Sequence, residues 1–265
     1  MLRRNFVHFW ALMAGVAVFS PAISRANTLT ASFTGSDTSV SPHLAAEVDF
    51  SLTGNTLTVT LTNTATQAAT DNGNILTAVF WSDSTAIGGT LSDVEMGTGS
   101  ILVPSGSTAG EAGLFGYASN SGDKNGSYVV SSTGLDINFT NPLLGLGGVP
   151  ENGTNSPPDS PDGPPGGLIP TINGSNPGGN QSPFIENSLV YTVSGVSITS
   201  LAGIDDVVFQ YGTASSDTTF GGLPSPAPGP TLPLPAPFAS GSVLLGILGL
   251  GHVVRKRVFQ HGLFV

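Results

Sequence analysis

The stretch Val48 to Asn63 reads VDFSLTGNTLTVTLTN. From Thr56 to Thr62, threonine alternates with Leu57, Val59 and Leu61, the period of two that sends successive side chains to opposite faces of a strand. Val48, Phe50 and Leu52 alternate in the same way on the far side of Gly54-Asn55. Two strands joined by so short a Gly-Asn connection form a hairpin, with one apolar face for a core and one hydroxyl face for water.

Working outward, short segments rich in β-branched and aromatic residues, each bounded by Gly, Asn, Asp or Ser, predict further strands. They lie at Thr28 to Phe33, Ile75 to Trp81, Glu111 to Ala118, Ser127 to Ser131, Leu135 to Phe139, Asn187 to Val193 and Asp206 to Tyr211. No amphipathic helix interrupts them, so the body, residues 27–222, is expected to be all-β, an antiparallel β-sandwich or a similar architecture. Between Asn141 and Pro183 the texture changes: ten of the twenty prolines and ten glycines fall in these forty-three residues without apolar periodicity. Residues 141–183 are therefore expected to form a surface excursion without a core strand, or a linker between two β units. A second Pro-rich stretch, residues 223–232, reads as an extended spacer after the body.

Charge is distributed unevenly. Arg3, Arg4 and Arg25 lie at one end and Arg255, Lys256 and Arg257 near the other, with Lys124 alone between them. Residues 27–232 carry that one Lys against seventeen acids, a formal charge of −16. Such a body repels phosphate backbones, so nucleic acid is excluded as a partner. There is no Cys, which removes disulfides, thiolate metal sites and thiol nucleophiles.

The two ends read as address signals. Arg3 and Arg4 precede a fourteen-residue, mostly apolar run, Phe6 to Phe19, followed by Pro21 and the small-x-small triplet Ser24-Arg25-Ala26. Residues 1–26 are expected to be a signal peptide, handled by the Sec translocon and cut by signal peptidase between Ala26 and Asn27. At about 1.5 Å per residue the apolar run falls short of a bilayer core of about 30 Å, which disfavours an uncleaved anchor. At the other end, residues 238–254 (FASGSVLLGILGLGHVV) form a seventeen-residue apolar segment at the short limit for spanning. Gly241, Gly246, Gly249 and Gly251 weaken a helix in water far more than one in lipid. The cluster Arg255, Lys256 and Arg257 would hold its far flank in the cytoplasm, so this single transmembrane helix leaves the body outside, as the signal peptide also does.

Leu232, Pro233, Leu234, Pro235, Ala236 and Pro237, then the glycine-rich helix, then the basic cluster, resemble the PEP-CTERM sorting signal of Gram-negative bacteria in its Val-Pro-Leu-Pro-Ala type variant. Here the tail spans residues 233–257. Leu232 stands where that variant commonly has Val, and residues 258–265 continue past the basic cluster. The resemblance implies recognition by an exosortase, an integral-membrane Cys protease-transpeptidase that processes the chain near the prolines. It implies an inner-membrane-anchored precursor and then a cell-surface or extracellular product, in the company of exopolysaccharide. The body also resembles exosortase-dependent surface proteins of unknown biochemical function, through Val48 to Asn63, Ile75 to Trp81, Pro161 to Leu168 and Asn187 to Gly212. That resemblance supplies no catalytic residues.

For chemistry in the body, His43 is the sole histidine, and no Gly-x-Ser-x-Gly elbow accompanies it. Glu47 with Asp49, or Asp205 with Asp206, are formal carboxylate pairs for glycoside hydrolysis, although acids so close in sequence are more often solvated. No Gly-x-x-x-x-Gly-Lys phosphate loop occurs. Calcium would find oxygen ligands at Asp71 to Asn74, at Asp123 to Gly126, or at Asp159 with Asp162. None completes an EF-hand or an RTX-type repeat, and turn chemistry explains these residues more simply. The expectation is therefore no catalytic residue, no metal and no cofactor: an exported, exosortase-sorted surface or matrix protein. A carbohydrate-binding module is the alternative, with Trp81, Tyr117, Tyr128, Tyr191 and Tyr211 as stacking platforms. A carboxylate-dependent hydrolase ranks behind both.

Overall fold

The computed structural model describes residues 28–225, apart from 105–106, 109–111, 122–124, 136, 138, 150–164, 173–182 and 215. The described residues are all-β, with one 3-10 turn at Asn72–Asn74. The strands are β1 (Thr28–Asp37), β2 (Leu44–Thr53), β3 (Thr56–Asn63), β4 (Leu76–Asp83) and β5 (Gly88–Met96). There follow β6 (Ile101–Val103), β7 (Phe115–Ala118), β8 (Tyr128–Ser131), β9 (Thr140–Leu144) and β10 (Leu168–Ile169). The last are β11 (Phe184–Glu186), β12 (Ser188–Val196), β13 (Ile204–Tyr211), β14 (Thr219–Gly221) and β15 (Leu223–Ser225). The chain divides into two units after Leu223, and the fold below is that of the first.

The hairpin forms as its sequence dictates. β2 and β3 pair from Ala46–Asn63 to Thr53–Thr56 around Gly54-Asn55, and Gly54 takes φ +61, which suits a glycine at the first position of a two-residue turn. Burial alternates along both strands: Val48, Phe50, Leu52, Leu57, Val59 and Leu61 are buried, while the intervening residues of β3 are half-exposed. From this hairpin the first sheet grows to β1-β2-β3-β12-β5, every one of these neighbours antiparallel, with β15 as its sixth strand.

The second sheet is organised around β4. It pairs with β13 along most of its length, with β8 from Ala78 to Trp81, and with β10 at Leu76. All its pairings are antiparallel except β10 with β11. Residues Leu76 to Trp81 are buried without alternation, because both faces of this sheet are covered. Val79 and Trp81 enter the main core shared with the first sheet, whereas Ala78 and Phe80 meet Leu135 and Ile137 on the opposite face. The result is a β-sandwich-like fold with a second, smaller core on the back of one sheet.

Aromatic rings fill the space between the sheets. Phe50 meets Trp81 edge-on at 5.2 Å between centroids, Trp81 stacks with Tyr128 at 5.8 Å and Tyr117 at 6.4 Å, and Phe115 meets Tyr191 edge-on at 6.1 Å. Such pairs each contribute about 0.5–1.5 kcal/mol beyond the area they bury. At one end a polar clasp joins the sheets: Asn63 Nδ2 donates to the Leu168 carbonyl at 3.0 Å, and Tyr211 Oη donates to the Ala45 carbonyl at 2.8 Å. At another corner β14 pairs with β13 while the Gly222 N–H donates to the Val207 carbonyl at 2.7 Å, after which the chain enters β15 of the first sheet. Glycines allow that crossing, since a Cβ on Gly35 would lie 2.7 Å from the Gly221 carbonyl oxygen.

Four expectations require correction. Residues 141–183 do contribute core strands: most of β9 and all of β10 lie there, and Leu143, Leu144, Leu168 and Ile169 are buried. Leu and Ile beside so many prolines still bury when the pairing is only two to five residues long, below the length at which periodicity becomes readable. Of the strand expected at Leu135 to Phe139, the described residues Leu135, Ile137 and Phe139 are not in a strand. Leu135 takes φ +47, and the segment instead supplies Leu135 and Ile137 as the lining of the second core. The strand expected from Glu111 begins only at Phe115. β15 also lies inside the stretch read as a spacer, at residues 223–225.

Candidate functional site

Sheet pairing fixes what the outer face of the first sheet presents. Thr56, Thr58, Thr60 and Thr62 point away from the core along β3. Register extends each into a rank: Thr30, Ser51, Thr58, Thr192 and Asp93 in one, and Ser32, Asp49, Thr60, Val190 and Glu95 in the next. Ranks stand about 6.7 Å apart along a strand, and neighbours in a rank about 4.8 Å apart across strands. Hydrogen bonds tie the hydroxyls together. Thr28 Oγ1 and Thr53 Oγ1 are 2.9 Å apart, Ser92 Oγ and Ser194 Oγ 2.8 Å, and Ser32 Oγ donates to Asp49 Oδ1.

The face is anionic. All seven Lys and Arg residues fall outside the described residues, so within these the carboxylates have no such partner. Glu47 and Asp49 sit two apart on the same side of β2. Partial burial, and then the neighbouring Asp49 charge, hold the Glu47 carboxyl above its ordinary range. Asp93 accepts from the Val94 N–H at 2.8 Å, and Glu95 is exposed.

Ser92, Asp93 and Glu95 complete the face and were not anticipated. The register of β12 against β5 shifts between Thr192 and Val193, and this irregularity breaks the alternation of Leu91 and Val94, hiding the strand from a period-two reading. The Gly88-Gly89 start, followed by Leu91, Val94 and Met96, was the available signal.

The expected platforms lie elsewhere. Trp81, Tyr117, Tyr191 and Tyr211 are fully buried and Tyr128 is 5% exposed, so none offers a ring to a ligand at the surface. Burial drives the hydroxyls of Tyr117, Tyr191 and Tyr211 well above the usual phenol range. Tyr211 and Tyr117 donate to backbone carbonyls, whereas among the described residues Tyr191 Oη and Trp81 Nε1 are buried without a hydrogen-bond partner.

The acids weighed for catalysis do not oppose one another across a cleft. Glu47 and Asp49 share one strand face. Asp205 and Asp206 are exposed where β13 is irregular, with Asp206 at φ +46. His43 is exposed, and its backbone N–H donates to Gln67 Oε1 at 2.9 Å. Nearby Asp37 is held below the ordinary carboxylate range chiefly by the Ser39 hydroxyl and N–H, and least by His43. In the first calcium candidate the side-chain oxygens close their own turn: Asp71 accepts from the Gly73 N–H at 2.9 Å, and Asn74 from Thr70 Oγ1 at 3.0 Å. Among the described residues no three acidic or histidine side chains gather where a metal could sit. Asp123, Lys124, Asp159 and Asp162 lie outside the described residues.

So do both expected address signals: Ala26 and Asn27, Leu232 to Pro237, and Arg255, Lys256 and Arg257. Among the described residues no helix is long and apolar enough to cross a membrane. Comparison with family models, curated proteins and solved structures finds no match to this chain.

Proposed function

We propose that the chain is an exported protein carried to the cell surface or extracellular matrix by its C-terminal tail, and that its body serves there without catalysis. The observation that carries this reading is the order Leu232 to Pro237, apolar residues 238–254, then Arg255, Lys256 and Arg257, at the opposite end from a signal-peptide pattern. One structural fact supports it. The exposed face of the first sheet is hydroxyl and carboxylate, a surface suited to contact with hydrated polymers.

The test is fractionation of the native host with and without its exosortase, following body and tail with separate antibodies. Sorting predicts a body that reaches the surface only when the exosortase is present. Body and tail held together in the inner membrane of both strains would refute it. The carbohydrate-binding reading survives in altered form, because its support now comes from the hydroxyl face of the first sheet instead of the aromatic residues.

A further inference from the structure

Along β3, Thr58, Thr60 and Thr62 form a strip of outward hydroxyls. Glu47 and Asp49 of β2 flank it on one side, and Asp93 and Glu95 of β5 lie on the other, beyond β12. β2 and β5 stand three strand spacings apart, about 14 Å at about 4.8 Å each. The strip is thus bordered by two anionic rails. Among the described residues there is no Lys or Arg to neutralise them.

A strip of hydroxyls between carboxylates, with Val190 standing between Thr60 and Glu95, is complementary to a chain that repeats both hydroxyl and cationic groups. Stacking of neutral sugars is not served, because Trp81 and all four tyrosines are buried. A basic peptide would satisfy the rails but leave the threonine hydroxyls facing aliphatic stems. We propose that this face docks a linear polysaccharide of amino sugars bearing free ammonium groups. Ammonium groups meet Glu47, Asp49 and Glu95, and sugar hydroxyls exchange hydrogen bonds with the threonine strip. The inference rests on the reading of the body as extracellular, and it names the polymer that such a body holds.

The experiment uses the full-length chain in detergent and measures binding to immobilised deacetylated glucosamine oligomers at about pH 6, where both carboxylates and ammonium groups are largely charged. Fully N-acetylated oligomers and polylysine are run alongside. The expected result is binding to the deacetylated oligomer that weakens as salt rises. Glu47→Gln with Asp49→Asn and Glu95→Gln should weaken it about tenfold. Thr58→Val with Thr60→Val should weaken it severalfold while the strand, which favours valine, keeps its circular dichroism. Asp205→Asn with Asp206→Asn, which removes charge from β13, should leave it unchanged.

Absence of binding, equal binding to the N-acetylated oligomer or to polylysine, or an equal loss from the Asp205/Asp206 change would each overturn the proposal. Localisation distinguishes the two levels. A body that reaches the surface but ignores the polymer sinks this inference alone, whereas retention in the inner membrane in both strains sinks the sorting reading beneath it.

Discussion

Replacing Tyr191 by phenylalanine should make the body more stable. Tyr191 lies in the middle of β12 with its ring against Phe115, fully buried, and among the described residues its hydroxyl has no hydrogen-bond partner. A buried, unsatisfied hydroxyl costs about 1–3 kcal/mol, and phenylalanine keeps the ring while removing the cost. At about 2–4 °C per kcal/mol for a body of this size, the melting temperature should rise by about 2–12 °C. Tyr211 provides the opposite case on the opposing sheet. Its hydroxyl donates to the Ala45 carbonyl at 2.8 Å and lies 3.4 Å from Asn63 Oδ1, so Tyr211→Phe removes a clasp between sheets. It should cost about 0.5–1.5 kcal/mol, the net worth of one hydrogen bond, because the Ala45 carbonyl keeps the Thr64 N–H at 2.9 Å. Urea denaturation followed by tryptophan fluorescence would report both, with an unchanged m-value as evidence that only stability moved. If Tyr191→Phe destabilised the body by as much as Tyr211→Phe, its hydroxyl would have a partner, and the reasoning from an orphaned group would fail.

Three further outcomes follow from the same packing. Gly35→Ala places a Cβ 2.7 Å from the Gly221 carbonyl oxygen, so it should cost roughly 1–3 kcal/mol and loosen the β1–β14 corner, read as faster hydrogen exchange there. Trp81→Ala should cost about 3–5 kcal/mol as a core truncation; a protein of unchanged melting temperature that lost only glycan binding would show Trp81 to be a ligand platform instead. Glu47→Gln should change how stability depends on pH. The folded Glu47 carboxyl titrates above its ordinary value of 4.5, so the folded state holds this proton more tightly and stability falls as pH rises through that window. The glutamine variant should therefore gain on the parent from pH 4.5 upward and show no advantage below it, in paired melts across the range.

The hairpin was legible because its two halves share one period and one polar face, and the hydroxyl side of β3 could be named from Thr56 to Thr62 alone. What escaped did so for identifiable reasons. β5 carries a register irregularity that disrupts its alternation, and with it went half of the anionic border. β9 and β10 are too short to show a period, yet their leucines and isoleucine complete the core. Leu135 and Ile137 imitate a strand by alternating with Asp136 and Asn138, but they cover a sheet whose two faces are both apolar, a condition invisible from any one segment. The aromatic residues are the instructive case. Sequence names rings without saying which way they face, and only the pairing of Tyr191 with Val59 and of Trp81 with Tyr128 turns them inward.

The passage of the chain from β14 into β15 also sets how the body would carry load. β14 is held to β13 by three register pairs, Val208–Gly221, Phe209–Phe220 and Gln210–Thr219, whereas β2 and β3 share eight. A pull transmitted from the C-terminal side meets β14 before any other strand of the second sheet, and three pairs part under less work than eight. Once β15 has parted, Phe220 would leave its contacts with Phe209 and Tyr211, while Phe50, Val59 and Tyr191 stayed locked in the centre. Tension would therefore be relieved at the hem of the sandwich, by a short and re-formable length of chain, before the central strands bore any of it.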